Sequence, residues 1–269
     1  MNRNAIPAEL IYQVASLLLA FILVHGAYVT VIRPAADAFL EEEHALMAQD
    51  PTHQERRNFY VVLKDYEQEA CIILMLWALA IMGWKAAAVW RQSKQLSQDL
   101  LKLPEGLPIG PEDTAELKKR IDEIPEPARN YLLPRALKVA IERFAATMNV
   151  HDAATAVRDI CDSEGERQES ELSIIRYIAW AIPSVGFIGT VRGIGQALSQ
   201  ANRAVEGDIT GVTQSLGVAF NSTFIALVLS IVLMFFIHQL QLMQERLVLD
   251  TEEYCDANLI SRMRTRPLG

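Results

Sequence analysis

The sequence predicts an all-α, polytopic membrane protein with four transmembrane helices and a cytoplasmic helical bundle, and three observations carry that expectation. Apolar residues make up 51% of the chain and charged residues 22%, too charged for a compact multi-span transporter and too apolar in blocks for a soluble domain. Four blocks, at 10–32, 70–90, 177–191 with its flanks, and 212–242, come near the roughly 20 mainly apolar residues that a bilayer core requires. Between the second and third lies a proline-punctuated, charged stretch whose apolar positions recur at helical spacing.

The first block, within 1–33, could be a cleaved signal peptide or the first of the four spans. Its run is long, its leader carries Glu9 and a single Arg, and no clean A-x-A site follows, so an uncleaved helix is the reading adopted. The connection 34–68 is acidic, with eight Asp or Glu against three Lys or Arg. The second block, 69–90, carries Lys85 near its end and is followed by Arg91, Lys94 and Lys102, and the last is followed by Arg246, Arg262, Arg264 and Arg266. Positive residues stay inside, so both termini and the 91–171 segment are expected to be cytoplasmic, with 34–68 in the periplasm. The third block has only fifteen uncharged residues between Arg176 and Arg192. Snorkelling of both side chains, or burial inside a bundle, keeps it a span.

The cytoplasmic segment is read as articulated helix. Pro104, Pro108, Pro111, Pro125, Pro127 and Pro134 break its first half, and EDTAELKKRIDEI between them has one apolar and one charged face. PRALKVAIERFAATM is then a helix, Asn149 or Asp152 can cap the next, and helix continues through AATAVRDICDSEGERQESELSII into the third span. The tail 243–269 is expected to be cytoplasmic helix.

Enzymatic chemistry is hard to find. His25, His44, His53, His151 and His238 lie in no ligand spacing, and there is no HExxH, P-loop, GxSxG or dinucleotide fingerprint. Cys71, Cys161 and Cys255 form no CxxC, so neither a disulfide framework nor a zinc site is indicated, and no catalytic residue, metal or cofactor is expected. The net charge of −8, with basic residues clustered at membrane edges, argues against nucleic acid.

What remains is a pattern of small and polar residues inside the last two spans. Ala179, Pro183, Gly186, Thr190, Gly193 and Ala197 follow at steps of four, three, four, three and four, one face of a helix, and Gly189 with Gly193 forms a GxxxG. In the last span Gln214, Ser215, Asn221, Ser222 and Thr223 interrupt the apolar run, and Ala219, Thr223, Ala226 and Ser230 make a second small stripe. Ser and Thr can bond back to their own helix. Asn221 cannot satisfy its whole amide that way, so it should face another helix or water. The stripes can be packing surfaces only, or can line a narrow polar conduit.

PSVGFIGTVRGIGQAL resembles the GLLGTVxGI signature of the MotA/TolQ/ExbB proton channel family, and GVTQSLGVAFNSTFIALVLSIV resembles its partner signature in the final membrane helix. The resemblance covers roughly 172–242, and the four-span layout is similar to that of MotA. It implies a homopentamer around the single membrane helices of a dimeric MotB-, ExbD- or TolR-like partner that brings a membrane Asp, in a bacterial inner membrane. It also implies that ion flow, of H⁺ or Na⁺, is converted into mechanical work. By position, Thr190 matches the hydroxyl beside the ion path, and Gly186, Gly189 and Gly193 match close-packing glycines. Ala219 stands where ExbB-like sequences carry Thr, with Ser222 and Thr223 about a turn later, and Arg192 stands where an apolar or aromatic residue is common. The candidate pathway is therefore Thr190, Ser222, Thr223, Asn221, Ala219 and Pro183. Neither pore helix holds a carboxylate, and Thr, Ser and Asn do not titrate near neutral pH, so a partner carboxylate would have to carry a proton. The alternative function is a non-conducting membrane scaffold that holds cytoplasmic partners.

Overall fold

The computed structural model describes residues 8–49, 56, 58–101 and 108–264; His53, Lys102, Pro104 and Arg266, named above, lie outside them. Among the described residues every regular element is a helix, and four helical stretches are long and apolar enough to cross a membrane: Ala8–Met47, Tyr66–Leu96, Val150–Ser199 and Thr210–Arg262. The expected all-α, four-span class is borne out. The chain divides into two units, Met1–Gly83 with Ile174–Ile237 and Trp84–Ser173 with His238–Gly269.

In the first unit, α1 (Ala8–Ala27) runs through a π-helical turn, Tyr28–Ile32, into α2 (Arg33–Gln49). The helix thus extends well past residue 32, where the apolar run ends. Pro34 would ordinarily stop it, having no N–H to give and a ring that crowds the preceding turn. The widened turn, closed by the Arg33 N–H on the Tyr28 carbonyl five residues back, lets the chain pass the proline without leaving the helix. A short α3 (Phe59–Leu63) starts at Asn58, whose side chain accepts the Tyr60 N–H at 2.8 Å. The next helix, α4 (Tyr66–Leu96), is held to α1 by Tyr12, which donates to the Ala80 carbonyl at 3.1 Å, and by the Trp77 indole on the Gln13 carbonyl at 2.9 Å.

The last two apolar helices of this unit are α8 (Ser173–Ser199) and the first part of α10 (Thr210–Asn258), joined by α9 (Ala201–Val205). Asp208 caps α10 by accepting the Thr210 N–H at 3.1 Å. A single non-helical residue, Leu172, separates α8 from the helix before it, so the expected continuation into the third span is observed.

The second unit has its own apolar core. Its helices α5 (Thr114–Asp122), α6 (Leu132–Thr147) and α7 (Val150–Glu171) pack with the end of α10 around Leu117, Ile121, Leu137, Ile141, Phe144 and Cys255. Each helix follows from local chemistry. EDTAELKKRIDEI supplies Leu117 and Ile121 to the core from one face. Pro134 does not break α6, because it occupies the first turn, where the missing N–H has no intrahelical partner to lose. Met148 ends α6 in the left-handed region at φ 50°, and Asn149, one of the two expected caps, accepts the His151 N–H at 2.9 Å. An ion pair at 2.5 Å between Lys138 and Asp122 joins α6 to α5 and holds the Asp122 carboxyl below its ordinary value. The segment at Ile109 is pinned to the C-terminal end by hydrogen bonds with Arg262 and Arg264, at 2.8 and 3.0 Å.

Candidate functional site

The two small stripes meet each other. On α8, Ala179, Gly186, Gly189, Gly193 and Ala197 are buried, and on α10 Ala219, Ser222 and Ala226 are buried. The three glycines mark where the backbones come closest. A Cβ on Gly186 would collide with the Ala226 methyl and stand 3.1 Å from the Ser222 carbonyl. On Gly189 it would stand 2.5 Å from the Ser222 Cβ, and on Gly193 it would stand 2.7 Å from the Ser215 carbonyl and 2.8 Å from the Ala219 nitrogen. No side chain larger than hydrogen fits at those points without moving α10, so the GxxxG is spent inside the chain.

Polar groups in the seam are satisfied across it. The Thr190 hydroxyl lies 3.1 Å from the Ala219 carbonyl and 3.4 Å from the Gly186 carbonyl, and it shares a hydrogen bond with the Thr223 hydroxyl, itself 3.2 Å from the Gly186 carbonyl. Two hydroxyl protons thus serve two carbonyls and one hydroxyl–hydroxyl contact, an arrangement with two opposite donor orders. Ser222 instead bonds back to the Val218 carbonyl of its own helix at 2.9 Å. Pro183 sits inside α8 and gives no N–H, which frees the carbonyl one turn back at Ala179. Ser230 of α10 donates to that carbonyl at 3.2 Å, a compensation that the sequence shows only as a stripe position.

Asn221 lies apart from this seam. It lines two cavities of about 330 and 590 Å³, with Val61 and Gly217 common to both, and its amide makes no hydrogen bond among the described residues. Of the residues expected to line a pathway, Thr190, Thr223, Ala219 and Ser222 are brought together, Pro183 lies two turns along α8, and Asn221 points elsewhere.

Sequence reasoning passed over a set of carboxylates at the start of α4, Asp65 just before it and Glu67 and Glu69 on its first turn. Arg192, two residues beyond Thr190, donates to Glu67 at 2.8 Å and to Asp65 at 3.4 Å, while its Nε is buried without a partner among the described residues. Burial pushes the Asp65 carboxyl up from its ordinary value against the pull of Arg192. Glu67 is buried, and its Cγ would be 3.2 Å from a Gly189 Cβ, so three helices converge there. On the same turn Glu69 pairs with Arg33, which also stacks on Tyr66, and with His25 at 2.7 Å. The available signal was Arg192 itself. A guanidinium inside a span needs an acid, and 65, 67 and 69 are the acidic positions at the end of a neighbouring span.

Four apolar helices, two of them joined by a hydroxyl-bearing, glycine-tight seam, define a multi-pass membrane protein with a paired-helix core of small residues. Residues 128–253 match the model of the MotA/TolQ/ExbB proton channel family, which takes in α8, most of α10 and also α6 and α7, beyond the 172–242 stretch where the motifs lie. Both motifs singled out in the sequence lie inside the matched residues. No curated protein and no solved structure matches the chain significantly.

Proposed function

We propose that this chain is the multi-span subunit of an ion-driven motor or stator complex, a homopentamer in a bacterial inner membrane. It would enclose a dimeric single-span partner of the MotB, ExbD or TolR kind. Protons, or sodium ions in the related alternative, would move past Thr190, Thr223 and Ala219, and the partner would contribute the titrating Asp. Both termini and the second unit would face the cytoplasm and carry force to the load. The observation that supports this best is the paired Thr190 and Thr223 hydroxyls inside the region that matches the family. Their two donor orders let a hydrogen-bonded chain reverse without either residue titrating.

The test is co-purification with the product of the adjacent reading frame, expected to encode one Asp-bearing membrane helix and a periplasmic domain. Native mass should give five copies of this chain with two of the partner, and liposomes holding the complex should acidify under an inward-driving potential. A monomer, or an intact complex with no ion flux, would exclude the motor reading.

A scaffold that conducts nothing is the second reading. The glycine stripe favours it to one degree, since that stripe is consumed by α8–α10 packing within a single chain. A stable ring without flux would select it.

A further inference from the structure

We propose that Glu67 and Asp65 determine cation passage through this protein by neutralising Arg192, an inference that rests on the ion-driven reading above. Arg192 follows Thr190 by two residues on α8, and its guanidinium stays charged at any working pH. Left bare, a fixed positive charge beside the hydroxyl seam would repel any cation crossing there, and in a partly desolvated site that repulsion is far larger than in water. The structure gives the charge two acids, Glu67 at 2.8 Å and Asp65 at 3.4 Å, both from the start of α4.

The pair is built into the seam rather than laid on the surface. Glu67 is buried, and its methylene reaches the same point where Gly189 meets Ser222, with a Gly189 Cβ lying 2.6 Å from the Ser222 hydroxyl and 3.2 Å from Glu67 Cγ. Gly189 thus serves two contacts, the closeness of α10 and the approach of the α4 carboxylate. Lys64 also acts on Asp65, so two carboxylates balance two cations and Arg192 is left without a net positive field when both acids are ionised. Glu69 does not supply this charge, because Arg33 and His25 engage it.

A simple clamp between α4 and α8 would show the same distances, so the test must separate charge from tethering. The complex with its single-span partner is reconstituted in liposomes containing a pH-sensitive dye, with a sodium dye in parallel, and driven by a potassium diffusion potential. Asp65→Asn with Glu67→Gln is expected to lower cation flux tenfold or more, and adding Arg192→Gln to that pair is expected to bring it back to within about threefold of the original. A clamp gives the opposite order, because the triple variant has lost both sides of the tether and falls at least as low as the double. Arg192→Gln alone is expected to raise cation flux, and it decides the matter if the double variant does not assemble. Wild-type flux that the double variant leaves unchanged, or an intact Arg192→Gln ring without flux, overturns this inference alone. Absence of flux from the wild-type complex overturns the motor reading and this inference with it.

Discussion

Gly193→Ala isolates the tightness of the α8–α10 seam from everything else about a glycine in a helix. The added Cβ would stand 2.7 Å from the Ser215 carbonyl oxygen and 2.8 Å from both the Ala219 nitrogen and its Cβ, and two of these three are backbone atoms. No rotamer relieves them. To regain ordinary contact α10 must retreat by roughly 0.7 Å at this point. The Thr190 hydroxyl is 3.1 Å from the Ala219 carbonyl, so the same retreat takes that hydrogen bond out of range. Overpacking of this kind costs about 1–3 kcal/mol, and alanine recovers about 0.5–1 kcal/mol through helix propensity. Gly195→Ala, two residues along, supplies the control, since a Cβ there meets nothing within 4 Å. The difference between the two variants cancels propensity and leaves the overpacking cost. In detergent, thermal unfolding should show Gly193→Ala below Gly195→Ala by about 2–4 °C for each kcal/mol. Equal melting temperatures would refute the close approach of the two helices.

Ser230→Ala should destabilise by about 1–3 kcal/mol, because it strands the Ala179 carbonyl that Pro183 leaves free, and the effect should vanish in a Pro183→Ala background, which restores the intrahelical bond. Unfolding of the four-member mutant cycle reads this, and equal losses in both backgrounds would remove Ser230 from the role. Thr190→Val should leave the oligomer intact and lower ion flux, since it keeps the shape of the side chain and deletes the shared proton; unchanged flux would reduce Thr190 to packing. Asn221→Leu should weaken the ring itself, measured by the detergent resistance of the oligomer, because its amide has no partner among the described residues and a second copy is the commonest source of one. A detergent-resistant ring that has lost flux would place Asn221 on the path instead.

Much of this architecture was legible because membrane helices advertise themselves by composition. The four apolar blocks needed only counting, and Asn149 before Val150 marked a helix start by ordinary capping chemistry. The stripes at steps of four and three located the seam residues, since small residues at helical spacing have few uses in lipid other than close approach. What they could not specify was the surface that approaches. Glycine permits contact without naming a partner, and the partner is α10 of the same chain. The extent of the first helix was hidden for a different reason. A proline at position 34 reads as a stop, and only the π-helical turn before it shows how the backbone carries on to Gln49. Glu67 and Asp65 were hidden by being counted with the acidic connection, where a carboxylate is ordinarily solvated. Their burial against Arg192 depends on a pairing between positions more than a hundred residues apart.

The internal use of the small stripes changes what a ring of these chains would be made of. Once Gly186, Gly189 and Gly193 face α10, the side of α8 left uncovered carries Tyr177, Trp180, Phe187 and Ile188, and the uncovered side of α10 carries Phe220, Phe224 and Ile231. Under the proposed function, these bulky side chains, not the glycines, would meet lipid, neighbouring copies or the partner's helices. Contacts among large apolar side chains tolerate sliding better than glycine contacts, because no backbone is locked against backbone. Under the same proposal, an α8–α10 pair locked by glycine contacts and bounded by bulky apolar surfaces would suit a subunit that turns ion flow into motion. Rigidity would then reside in the Thr190 and Gly193 contacts within each chain, and compliance would reside between chains.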